Sequence, residues 1–152
     1  MTSNFQSLAD FIWGVADLLR GNFRQSQYGR VILPFTILRR LECVLEPTKA
    51  EVLNVAEQHA NTSVGTRHQL LLRAAGTPFY NTSKLSLGTL SDRQTLEDLN
   101  RYVQSFSSNA REIFEYFKFE EFVDDLNSAD LLYQVVTRFA NTILNNCLKN
   151  HR

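Results

Sequence analysis

Three prolines, six glycines, two cysteines and no net charge are what this 152-residue chain has little of, and each scarcity closes off a class of function. The glycines are scattered, with no GxGxxG or GxxxxGK[ST] run, so no loop is built to wrap backbone N–H groups around a nucleotide phosphate. Cys43 and Cys147 lie far apart, each inside an apolar helical pattern. A secreted chain of this size more often carries paired cysteines at regular spacing, so both read as reduced thiols. His59, His68 and His151 share no metal-like spacing with one another or with the cysteines, whereas a structural zinc needs four close Cys/His ligands. No apolar stretch reaches the ~18–20 residues that span a bilayer, and no basic segment followed by an apolar run marks a signal peptide. These features predict a cytoplasmic chain with no membrane partner.

Sixteen basic side chains balance sixteen acidic ones, which argues against an autonomous, tight binder of phosphate backbones. The balance is uneven along the chain: residues 1–75 hold eight basic and six acidic residues, residues 76–152 eight and ten. Most of the early positive charge sits at Arg20, Arg24, Arg30, Arg39 and Arg40. These five are the candidate contacts to phosphate or to a partner subunit. Adjacent arginines on a helix point about 100° apart, so Arg39 and Arg40 do not share one narrow stripe. Spacing alone leaves two roles open: solvated or paired with Asp10, Asp17 and Glu42, or contacting phosphate or another chain, since the guanidinium fork fits both carboxylate and phosphate oxygens.

What is present is apolar and helical. Apolar residues make up 43% of the chain and charged residues 21%, enough for one substantial core at this length. Eleven phenylalanines against one methionine predict a core of rigid rings. Phe5, Leu8, Ile12, Val15 and Leu19 recur at helical spacing and predict a helix over 4–20, capped by Ser3 or Asn4 and stopped at Gly21. A second stripe runs from Tyr28 through Phe35 and Leu38 to Leu45. Pro34 falls inside it and predicts a start or kink there, and Pro47 ends it. Further helices are expected over 48–60, at Leu70–Ala75 before Gly76, from Ser91 with Gln94 as a capping box, around Ile113 and Phe114, around Phe122 and Val123, and from a cap at Asn127 or Ser128 through Phe139, Ile143 and Cys147. Residues 77–90 form the longest irregular connection, and their Phe79, Tyr80, Leu85 and Leu87 predict that it is packed down. The expected fold is all-α, a single helical bundle of about seven to eight helices spanning residues 1–152.

Catalytic constellations are missing. Glu120 with Glu121 and Asp124 with Asp125 are sequence neighbours on a helix, so they point apart and form a solvated face rather than an acid/base pair. Ser-Leu-Gly at 86–88 is no nucleophile elbow. No catalytic, cofactor-binding or metal-binding residue is assigned.

From Phe11 to Leu41 the chain reads Phe-Ile-Trp-Gly-Val-Ala-Asp-Leu-Leu-Arg-Gly, then Gln-Tyr-Gly-Arg-Val-Ile-Leu-Pro-Phe-Thr-Ile-Leu-Arg-Arg-Leu. This resembles the N-terminal helical domain of type I restriction–modification DNA methyltransferase subunits. Its Trp13, Leu-Arg-Gly at 19–21, Tyr28, Ile-Leu-Pro at 32–34 and Leu-Arg-Arg-Leu at 38–41 are similar to counterparts there, as are Phe79-Tyr80-Asn81, Leu99-Asn100 with Tyr102, Phe106-Ser107 and Ile113-Phe114. The resemblance implies a non-catalytic domain ahead of an S-adenosylmethionine-dependent domain that methylates adenine N6. The implied partners are that catalytic domain, a specificity subunit, a restriction subunit and, weakly for this domain alone, double-stranded DNA. The chain departs from the complete subunits in lacking Asn-Pro-Pro-Phe/Tyr, since no two of its prolines are adjacent. It therefore reads as a single domain of a longer subunit or a shortened gene product, with no cofactor of its own. The alternative is a stand-alone helical interaction module without direct DNA contact.

Overall fold

The computed structural model describes residues 2–142, with side chains from Gln6 onward. Eight α-helices and no strand occur among the described residues. They are α1 (Thr2–Leu19), α2 (Tyr28–Leu45), α3 (Lys49–Gln58), α4 (Val64–Ala75), α5 (Thr95–Gln104), α6 (Ser108–Tyr116), α7 (Phe119–Ser128) and α8 (Leu132–Ala140). The apolar periodicity thus gives the right class and a count within the expected seven to eight.

Helix α8 is the centre of the packing. Leu132, Val135, Val136 and Phe139 are all buried on one face, and α1, α2, α5 and α7 lie against it. Helices α3 and α4 form a hairpin at one side, joined by the turn at 59–63. The phenylalanines form a continuous run of ring contacts through the middle. Phe11 meets Phe139 edge-on at 4.9 Å, Phe139 stacks on Phe35 at 5.4 Å, and Phe35 meets Phe119 at 4.9 Å. From Phe119 the run continues to Phe114 at 5.4 Å, to Phe106 at 5.7 Å and to Tyr102 at 5.6 Å. Rings in offset or edge geometry add attraction beyond the apolar area they bury, so one chain of contacts ties α1, α8, α2, α7, α6 and α5 together.

Local chemistry sets the ends of these elements, in several places differently from expectation. Helix α1 begins at Thr2, so Ser3 and Asn4 lie inside it rather than at its cap. Pro34 neither starts nor ends α2 but sits in its second turn. Its missing N–H leaves the Arg30 carbonyl without a helical donor, a loss that water can offset because Arg30 is exposed. Helix α4 starts at Val64, six residues earlier than the Leu70–Ala75 segment expected, because a polar first half from Val64 to Gln69 hides its period. It stops at Gly76, whose φ of 69° is open to glycine at little cost.

Ser91 does not open α5. It sits in a turn, and its N–H is bound at 3.0 Å by the Asp98 carboxylate from the first turn of the helix, which begins at Thr95. Asn127 and Ser128 belong to the end of α7 and do not cap α8. The two helices are joined through Asp130, at φ 59°. Lys118, at φ 54°, makes the equally tight joint between α6 and α7. The expected continuation through Ile143 and Cys147 lies outside the described residues, as does His151.

Phe35 is fully buried and touches two other rings, Phe119 and Phe139. Phe35→Ala is expected to cost about 3–5 kcal/mol, in the range of aromatic cavities in well-packed cores. Urea denaturation followed by far-ultraviolet circular dichroism checks this, and a destabilisation below about 1 kcal/mol would show that the ring chain does not hold the bundle.

Candidate nucleic-acid and subunit interface

Four of the five arginines singled out by sequence point into solvent. Arg20 follows the last residue of α1 and pairs with Asp17 at 2.9 Å, both side chains being more than half exposed. Arg24 lies in the connection to α2, in extended backbone, with its own N–H held by Gln27 Oε1 at 2.9 Å. Arg30 is exposed in the first turn of α2, and Arg40 is exposed further along the same helix. Ten residues separate these two, which places them about 15 Å apart along the axis. The sequence Leu-Arg-Gly makes this possible locally: Gly21, at φ 93°, turns the chain back after α1, so that Arg20, Arg24 and Arg30 surround one short connection.

Arg39 lies elsewhere. It is only 8% exposed, and its Nη1 donates to Glu42 Oε1 one turn along α2. Glu42 is 5% exposed, and its other oxygen accepts two more donors, the Leu87 backbone N–H at 2.8 Å and the Tyr102 hydroxyl at 2.7 Å. The adjacent arginines of α2 therefore divide, Arg40 facing outward and Arg39 serving the interior.

Around this carboxylate the irregular connection is tied down. Lys49 donates from Nζ to the Leu85 carbonyl at 2.5 Å and lies 5.9 Å from the centre of the Tyr102 ring. Asn81 donates from Nδ2 to the Tyr102 carbonyl at 2.9 Å, while its Oδ1 accepts the Ser83 N–H at 2.8 Å. Thr82 N–H reaches the Ser105 carbonyl at 3.0 Å and Ser107 N–H the Tyr80 carbonyl at 2.9 Å. The sequence points to Glu42 as one acid that an arginine could meet. It gives no sign that a tyrosine sixty residues on binds the same carboxylate.

No group of three or more His, Cys, Asp or Glu side chains is placed to hold a metal ion among the described residues. His59 bonds Thr62 and His68 bonds Tyr80. Glu120, Glu121, Asp124 and Asp125 are exposed along α7. Cys43 is buried in α2, and Cys147 lies outside the described residues. No helix among them is long and apolar enough to cross a membrane.

The described residues thus define an all-helical domain in which Arg20, Arg24 and Arg30 lie exposed around its first turn and Arg40 further along α2. The family model of the HsdM N-terminal domain matches residues 8–139. The chain belongs to that family, the helical N-terminal domain of the type I restriction–modification methyltransferase subunit. No curated protein and no solved structure matches it.

The buried phenol makes stability depend on alkaline pH. Burial raises the Tyr102 pKa well above its ordinary 10.0, and the neighbouring Glu42 charge and hydrogen bond raise it further against a smaller pull from Arg39. Because the folded value lies above the unfolded one, the neutral phenol's contribution is whole below about pH 10 and is lost as pH rises from there through the folded value. Tyr102→Phe is expected to cost about 1–3 kcal/mol at neutral pH. The gap between parent and variant should shrink in urea titrations above about pH 10, and a gap that stays constant would deny the phenol this role. Glu42→Ala, which strands Arg39, is expected to cost more, about 3–5 kcal/mol.

Proposed function

We propose that this domain helps a type I modification subunit close on double-stranded DNA while docking against the other parts of the complex. In that reading it is non-catalytic. Adenine-N6 methylation from S-adenosylmethionine would belong to the catalytic domain of the complete subunit, and sequence choice to a specificity subunit beside it. The restriction subunit completes the set of partners. The observation that carries the DNA part is the exposure of Arg20, Arg24, Arg30 and Arg40, of which only Arg20 is in an ion pair among the described residues. Exposed guanidinium groups at the first turn and along the adjoining α2 are suited to phosphate oxygens, and a chain of zero net charge suits a part that closes over DNA already held by others.

A second observation favours the docking role. Helix α1 exposes Trp13 at 65%, Ile12 at 43% and Leu8 at 38%. Large apolar side chains grouped on one helix and open to water mark a protein contact more often than a DNA contact. The two roles are compatible, because Arg20, Arg24 and Arg30 follow α1 at its far end.

Binding of the isolated chain to a duplex is expected to be weak and to fall steeply with salt, each phosphate contact contributing a slope of about 0.9 in log K against log salt. Reversing Arg20, Arg24, Arg30 and Arg40 to glutamate should flatten that slope by about one for each arginine that meets a phosphate. Fluorescence anisotropy over a salt series reads both, and an affinity indifferent to salt would remove the phosphate contacts from the proposal. For docking, Trp13→Ser should leave the thermal midpoint of the chain in place and weaken assembly of the complex by about 2 kcal/mol or more. Unchanged assembly in sedimentation would place the docking surface elsewhere.

A further inference from the structure

A second cationic site lies away from the first turn. The start of α4 and the start of α6 border one groove of about 520 Å³, with Val64 and Gly65 on one side and Ser107 and Ser108 on the other. Arg67, His68, Tyr80 and Arg111 also line it, and no aspartate or glutamate does. The free N–H groups of a helix's first turn carry partial positive charge and favour anions. Here two such turns meet two guanidinium groups, and Gly65 leaves open space where a side chain would otherwise stand.

The arginines are not satisfied from within. Among the described residues neither Arg67 nor Arg111 has a carboxylate within ion-pair distance, the two ion pairs being Arg20–Asp17 and Arg39–Glu42. Arg67 is half-buried, makes one long contact of 3.4 Å from Nη2 to the Ala56 carbonyl, and keeps a buried Nε–H with no acceptor. A partly desolvated cation without a counter-charge is costly, and a bound anion relieves that cost. Both guanidinium groups stand near the Tyr80 phenol, where they oppose the rise that burial imposes on its pKa. His68 Nδ1 holds the same hydroxyl at 2.8 Å and fixes the ring beside them.

We propose that the groove between the N-termini of α4 and α6 is a binding site for a phosphate-class oxyanion, gripped by Arg67 and Arg111 and by the free N–H groups of the two helix starts. The site shares no residue with the arginine cluster of the first turn and does not rest on the reading of that cluster. Its chemistry fits either the phosphodiester of a nucleic acid backbone or a small free phosphate.

The test is a nitrogen–proton NMR titration of the chain with sodium phosphate, run beside sodium chloride at matched ionic strength. Amides of Val64–Arg67 and Ser108–Arg111 should move with phosphate, saturably, and not with chloride. Arg111→Gln should weaken phosphate binding about tenfold, as expected for the loss of a charged hydrogen-bond donor, and Arg111→Lys should restore part of it. Arg67→Gln is the second variant, each being checked for an unchanged thermal midpoint. A short duplex that displaces phosphate from these amides identifies the nucleic acid backbone as the source, whereas phosphate binding that the duplex leaves untouched identifies a small free phosphate. Reversal of Arg20, Arg24, Arg30 and Arg40 should leave the phosphate shifts intact, which separates the fate of this site from that of the DNA-closing role. Shifts that chloride reproduces, or an affinity unchanged in Arg111→Gln, would overturn the site.

Discussion

A single buried carboxylate organises more of this domain than any other group. Removing a carboxylate from water is expensive unless donors meet it from every side, and Glu42 receives three: a guanidinium from its own helix, a backbone N–H from the irregular connection and a hydroxyl from α5. None of the three can be given up cheaply once the charge is inside. The constraint therefore acts on geometry more than on total stability. It fixes how α2, residues 77–90 and α5 sit together, where apolar packing alone would tolerate small slips. The connection, which has only one short helical turn at Leu87–Thr89, gets its definition from this directional chemistry and from Asn81.

The polar node and the apolar core are continuous. Tyr102 ends the run of ring contacts that begins at Phe11, and its hydroxyl delivers that run to Glu42. Rings have few rotamers, so a chain of them transmits position well, and a core with no methionine among its described buried residues has little soft material to absorb a displacement. From the same node the path leads outward. Asn81 binds the Tyr102 carbonyl, Tyr80 beside it receives the Ser107 N–H, and Ser107 stands at the head of α6. The groove between α4 and α6 is thus held by backbone that the buried carboxylate has already positioned.

Fold class and most helices are legible in the sequence because burial on a helix leaves a period of three to four residues. Legibility fails where that period is masked or where the contact is distant. The first half of α4 is polar on most sides, so only its Leu70–Ala75 half is visible. Ser91 and Gln94 have the letters of a capping box, yet the Asp98 carboxylate competes successfully for the Ser91 N–H and the helix starts later. Pro34 reads as a start or kink, but the cost of a proline in the second turn is bearable where the residue whose carbonyl loses its donor, Arg30, is exposed. That Arg39 and Arg40 point apart follows from their adjacency alone. Which of them faces inward depends on Glu42 meeting Leu87 and Tyr102, a relation between residues forty-five and sixty positions away. Arg67 and Arg111 come together in the same long-range manner and leave no local trace.

The distribution of charge, more than its sum, bears on how the domain would meet a duplex. With sixteen charges of each sign there is no net attraction to phosphate at long range, so an approach must be decided by local fields within about a Debye length of ~8–10 Å. In the proposed reading two regions would attract phosphate at that range, the arginines at the first turn and along α2 and the groove of Arg67 and Arg111. The four exposed carboxylates of α7 repel it. Such an arrangement binds poorly in random orientations and acceptably in few. That suits a part which other subunits bring to the DNA, since weak intrinsic affinity keeps it from holding unrelated sequence while tethering raises its effective concentration at the intended site. In the proposed reading, the neutrality that argues against an independent DNA-binding protein is in this way a positive requirement for a domain whose contacts would be licensed by its neighbours.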